Sequence, residues 1–136
     1  MDEVSAAGAE AVAVYFLQLY PYVYATGDLT EWRALSHPEC IFCASVITNV
    51  EEQVAAGNRS IGGLIQVDTV ISNVVTPGSW FSVQVDGVQG PWAAYGADGT
   101  LLDQQVGTLD HTFRLAVVRQ EGRWSVRAVQ VDDAPE

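Results

Sequence analysis

The sequence predicts an α+β fold in which three N-terminal helices cover a curved, mostly antiparallel sheet and close it into a cone. Three observations carry this. The first part of the chain has apolar residues at helical spacing, and the part after Gly62-Gly63 turns to valine, threonine and isoleucine in alternating runs. Turn residues then separate those runs at short intervals, as in a meander of strands. The 136 residues are 49% hydrophobic and 17% charged, enough apolar material for a core of one domain, residues 1–132, with a loose acidic tail at 133–136.

From Glu3 to Tyr20 the pattern is helical. Val12, Tyr15, Phe16, Leu19, Tyr22 and Val23 share one face. Pro21 has no backbone donor and is expected to kink or end this helix. Gly27 supplies a stop, and Asp28 can cap a short helix from Leu29 to about Leu35. Glu31, three residues after Asp28, completes an acidic variant of the capping box. Ser36-His37-Pro38-Glu39 reads as another helix start. Ser36 caps, Pro38 fits the first turn, and Glu39 stands three residues after the cap. A third helix is expected from there to Ala56, ended by Gly57 and Asn58.

Leu64 to Val75 reads as one long strand, and Pro77-Gly78 as a turn. Trp80 to Val88 alternates, with Phe81, Val83 and Val85 on one face. Gly87 to Pro91 is a break, and Asp98-Gly99 is a hairpin signal. From Thr108 to Arg119, Leu109, His111, Phe113, Leu115 and Val117 share a face. Glu121-Gly122 turns the chain into a last strand, Trp124 to Val131. The sheet should have about four to six strands. Helices closing such a sheet would enclose an internal cavity.

The net charge is -11, from 17 acids against six bases, all of them arginine. Such a surface repels nucleic acid and anionic membrane, so neither is expected as a partner. No apolar run reaches the length of a bilayer span, which excludes direct membrane insertion by a helix. The Met1-Asp2-Glu3 start lacks the basic region and apolar core of a signal peptide. The chain is then cytosolic, or the mature domain of an exported protein.

Cys40 and Cys43 are the only cysteines and stand at Cys-x-x-Cys spacing beside a helix start. Three chemistries remain open. The thiols can close a structural disulfide, which in so short a loop contributes on the order of 2 kcal/mol at most. They can do redox work, favoured by the helix dipole, although such motifs usually follow a strand. With His37, and His111 as a fourth ligand, they can hold zinc. Two buried free thiols are the bland alternative. No metal and no cofactor is expected.

His111 lies on the apolar face of its strand beside Phe113 and Leu115. There it is either a general base or ligand contact, or a satisfied core histidine. Asp86 and Asp110 alternate out of phase with the apolar face and should meet solvent. Asp68 is undecided, because both faces of its strand are apolar. His111 and Asp68 are therefore the weak catalytic candidates. Tyr15, Tyr22 and Tyr24 of the first helix, with Trp80 and Trp92, are candidates for a pocket mouth. The pocket set taken forward is Tyr15, Leu19, Tyr22, Trp80 and His111.

The helical order followed by a meander ending in Gly122-Arg123-Trp124-Ser125-Val126 resembles the cone fold of nuclear transport factor 2, ketosteroid isomerase and the SnoaL-like cyclases. A more specific resemblance covers nearly the whole chain. Tyr15-Phe16-Leu17, Tyr24-Ala25-Thr26-Gly27-Asp28, Leu35-Ser36, Cys40-Ile41-Phe42-Cys43 and Gly62-Gly63 are similar to an uncharacterised family of actinobacterial lipoproteins. That resemblance implies an extracytoplasmic domain with a Cys40–Cys43 disulfide. The leading expectation is a non-catalytic domain that binds a small apolar ligand or a protein partner in or near the cone. The alternatives are a SnoaL-like enzyme of proton-transfer chemistry (isomerase, cyclase or epoxide hydrolase), with His111 or Asp68 as base and Tyr15 as donor, and a scaffold that forms a homodimer.

Overall fold

The computed structural model describes residues 5–133. The expected start of the first helix at Glu3 and most of the expected tail lie outside them. Asp133 itself ends the last strand rather than a loose tail.

Helix α1 spans Ala6–Thr26, and the Ser5 hydroxyl caps it by accepting the Gly8 N–H at 3.3 Å. The expected break at Pro21 does not occur. Proline has no N–H to give the Leu17 carbonyl, yet Leu19, Pro21 and Val23 are all buried, and packing on both sides of the proline holds the helix together. Gly27 ends it in the left-handed region, φ 75°, with its N–H on the Val23 carbonyl. Helix α2 spans Thr30–Leu35. Asp28 acts at its start by accepting the Thr30 N–H at 3.1 Å. Trp32 from this helix is buried and stacks on Phe16 with ring centroids 3.8 Å apart.

Helix α3 spans Ile41–Ala55 and begins later than the Ser36 signal predicts. Cys40 is the capping residue, and its Sγ accepts the Cys43 N–H at 3.1 Å. The Ser36–Glu39 stretch is taken up by another contact. Ser36 forms a parallel bridge with Val126, and the His37 N–H donates to the Val126 carbonyl at 3.0 Å. A sheet edge competes here with the helix for backbone bonds, and the edge prevails.

Two antiparallel sheets follow. The larger has the order β2-β3-β6-β7, from Ile65–Thr76, Trp80–Gln89, Leu109–Gln120 and Arg123–Asp133. The smaller has the order β1-β4-β5, from Arg59–Gly62, Trp92–Tyr95 and Leu101–Gln105. The hairpin at Asp98-Gly99 joins β4 to β5 as the sequence predicts. β1 and β4 are four residues each, too short to show alternation.

Bulges in the outer strands of the larger sheet, at Asp68 and Val75 in β2 and at Arg127 in β7, set which side chains face the helices. In β2, Val67 pairs with Gly87 and Thr69 with Asp86, so Asp68 is an extra residue without a partner in the ladder. The alternation therefore changes phase: Ile65 and Val67 face inward before Asp68, Val70 and Ser72 after it. That explains a strand with two apolar faces. In β7, Val126 pairs with Val117 and Ala128 with Ala116, which makes Arg127 the extra residue.

The space between α1 and the larger sheet is filled. Val12, Phe16, Phe81, Val83, Val85, Leu115 and Val117 are each at most 2% exposed. The expected enclosed cavity is thus occupied by the protein's own core, and open space lies at the ends of the sheet.

Candidate functional site

A cleft of about 240 Å³ opens where α1, β1 and the end of β3 meet. Tyr20, Pro21 and Tyr24 supply the helical wall, and Trp92 stands across from them. The remaining wall is Ser60, Gly62, Gly63 and Gln89. The two glycines carry the chain from the smaller sheet to the larger, both in the left-handed region, with φ 84° and 71°. A Cβ on Gly63 would lie 3.2 Å from the Gln89 amide nitrogen and 3.5 Å from Trp92, so any side chain there would fill the cleft.

The polar groups of the cleft are neutral. Gln89 continues the inward phase of Phe81, Val83 and Val85. Its Oε1 lies 3.0 Å from His111 Nε2, and its Nε2 donates to the Gly63 carbonyl at 3.4 Å. An amide oxygen only accepts, so His111 Nε2 is the donor in this pair. The Tyr24 hydroxyl accepts from Asn49 Nδ2 at 3.4 Å, and Ser60 donates to Gln53 Oε1 at 3.0 Å. Tyr20 meets Tyr24 edge to face at 5.2 Å. Burial, with Tyr24 beside it, pushes the Tyr20 phenol up to about 12, so it stays a protonated donor. Among the described residues no carboxylate lines this cleft.

The residues expected to form the pocket are dispersed. Tyr15 points to the opposite side of α1 and donates to Glu31, which raises its pKa. Tyr22 is exposed and donates to Asp28 Oδ2 at 3.2 Å. Leu19 is buried in the core. Trp80 is out of phase with Phe81 and lies on the outer face of the sheet, beneath the Arg127 guanidinium at 5.2 Å. His111 does face inward, behind Gln89. Asp68 is exposed on its bulge, away from any cavity floor, so it does not serve as a general base there. Of the wider aromatic set, Tyr24 and Trp92 reach the cleft. Tyr20 and Gln89 escaped the sequence reading, although the phase of Gln89 with Phe81 pointed inward.

Cys40 and Cys43 are bonded to each other, with Cα atoms 5.2 Å apart. Both are buried, and the Trp32 indole donates to the Cys43 carbonyl at 3.1 Å. The bond removes both thiols as zinc ligands. His37 Nδ1 accepts the Glu39 N–H at 3.1 Å instead. Among the described residues no group of three potential ligands could hold a metal, and no helix is long and apolar enough to cross a membrane.

No curated protein matches the sequence. The chain is similar in structure to the intermembrane space region of chloroplast protein ARC6, at TM-score 0.72 and 9% identity, over 96% of this chain and 98% of that one. It is similar to a putative scytalone dehydratase from Novosphingobium aromaticivorans, at TM-score 0.58 and 12% identity, over 92% and 83%. An NTF2-like protein of unknown function in nutrient uptake from Rhodospirillum rubrum gives TM-score 0.56 and 15% identity, over 90% and 98%. These likenesses establish the α+β cone fold of the NTF2-like proteins, and at such identities they speak for the fold alone. Residues 1–130 match the model of the family of unknown function DUF6318, and the chain belongs to that family.

Proposed function

We propose that this is an extracytoplasmic, non-catalytic binding domain that takes a small, uncharged, largely apolar molecule into the cleft between α1 and Gly62-Gly63. The observation that carries the reading is the make-up of that cleft among the described residues: aromatic walls from Tyr20, Tyr24 and Trp92, neutral hydrogen-bonding groups, and no carboxylate. Aromatic walls with a few placed polar groups suit ligand binding. Proton-transfer chemistry calls for a base with a perturbed environment beside the substrate. Asp68 is exposed elsewhere, and His111 Nε2 is engaged with Gln89.

The buried Cys40–Cys43 disulfide supports an oxidising compartment. The resemblance to actinobacterial lipoproteins supports the same location and a membrane-anchored parent protein.

The test is titration of the isotope-labelled protein with 2-naphthol, a neutral aromatic probe that also offers a hydroxyl. Saturable shifts of the Trp92 indole and Gln89 side-chain resonances, lost in Trp92→Ala, are expected. Saturable binding whose shifts avoid these residues, or no saturable binding, would overturn the proposal.

A further inference from the structure

The cleft uses none of the arginines. Several of them gather at the other end of the larger sheet, where Trp80 pairs with Val118, whereas Gln89 beside the cleft pairs with Leu109. A groove of about 650 Å³ runs there between the end of α2, the Ser36–Pro38 connection and the β6–β7 turn. Arg33 and Arg123 both line it, together with His37 and Trp124, and among the described residues Glu121 is the one carboxylate in its wall. In a chain of net charge -11, a groove with two guanidinium groups and one carboxylate stands apart.

Its donors are in place. Arg33 spends one nitrogen on Glu51 at 2.8 Å, and a guanidinium has further N–H groups to offer. Arg123 pairs with no carboxylate among the described residues. His37 accepts the Glu39 N–H on Nδ1, which leaves the proton on Nε2 as a donor.

Trp124 forms the inner wall of the groove. It is 7% exposed and held between the Phe81 ring, at 5.7 Å, and the Arg119 guanidinium, at 5.3 Å. Its indole nitrogen is buried and finds no acceptor among the described residues. Buried donors are nearly always satisfied, but this nitrogen is closed off from solvent and is not among the donors that the groove presents.

We infer that this groove is a second binding site, specific for an oxyanion: a carboxylate or phosphate carried by a soluble molecule or by a lipid headgroup. Arg123 is the principal charge, free to form a two-pronged contact. Arg33 is the second charge, His37 Nε2 is a further donor, and the Trp124 ring closes the wall behind them. The site is separate from the neutral cleft and stands whether or not the cleft binds an apolar molecule.

The experiment is a titration of the full chain with inorganic phosphate at constant ionic strength, read by the indole and arginine side-chain resonances. Saturable shifts of Trp124 and Arg123 are expected. Arg123→Gln should weaken binding by about tenfold, with the Trp32 indole resonance unchanged as a control for folding. Arg33→Gln should weaken it as well. A parallel arm measures co-sedimentation with phosphatidylglycerol vesicles. Vesicle binding lost in Arg123→Gln places the phosphate on a lipid headgroup, and phosphate shifts without vesicle binding place it on a soluble molecule. No saturable shift, an equal response to chloride, or unchanged binding in both variants would overturn the inference.

Discussion

Gly62 lies so close to Pro91 that a methyl group on its α-carbon would sit 2.4 Å from the Pro91 carbonyl oxygen. Its φ of 84° also belongs to the left-handed region. Strain and collision therefore add. Gly62→Ala should lower stability by ~3 kcal/mol, read as an earlier urea midpoint. Gly78 has a similar φ of 74° with nothing within 4 Å of the added Cβ. Gly78→Ala should cost only the backbone term, ~1 kcal/mol. Equal losses in the two variants would show that the close approach to Pro91 contributes nothing.

The Cys40–Cys43 bond closes a very short loop. In the non-reduced, denatured protein neither cysteine should react with an alkylating reagent, and intact mass is the measurement. Reduction should lower stability by about 2 kcal/mol. The packing of Trp32 on Phe16 does not depend on the bond, so the reduced protein should remain folded.

Tyr20 gives a signature on the alkaline side. Its phenol moves from the ordinary 10.0 up to about 12, through burial first and then the neighbouring Tyr24. A raised value means that the folded state holds the proton more tightly. The stabilisation is complete below pH 10.0 and is lost as pH rises through about 12. Spectrophotometric titration should lose its last folded-state step in Tyr20→Phe, and alkaline unfolding of that variant should become shallower.

Asp86 gives the opposite sign on the acid side. Thr112 donates to it at 2.8 Å and Thr69 at 2.9 Å, and these bonds hold its carboxyl below the ordinary value. The contribution is present above the unfolded carboxylate range and is lost as pH falls through the depressed folded value. Asp86→Asn should flatten the loss of stability below about pH 4. Urea midpoints at neutral and acid pH measure it, and an unchanged slope would contradict the assignment.

The layers of this fold were legible because α1 carries a long apolar period and β3 and β6 alternate cleanly. The phase of β2 was not, since Asp68 adds one residue to the ladder and a bulge leaves no sign in hydrophobicity. Pro21 does not end the helix, because burial on both sides of it outweighs the missing N–H. Ser36 misled because a capping sequence can equally offer its backbone to a sheet edge. The disulfide was readable as one of several chemistries of the Cys-x-x-Cys spacing. The cleft was only partly readable. Its walls come from three separated segments, and the Gly62-Gly63 crossing that joins them depends on two left-handed residues rather than on any side chain.

The bulges have a consequence beyond side-chain phase. Asp68 and Arg127 lie in β2 and β7, which are the two outermost strands of the larger sheet. A straight, flat outer strand is a template on which strands of other molecules can grow, the first step towards aggregates. Here each outermost strand is broken by an extra charged residue, and β7 is further covered by the backbone of Ser36 and His37. The extra residues at Asp68 and Arg127 thus interrupt the flat edge that strand-by-strand association requires.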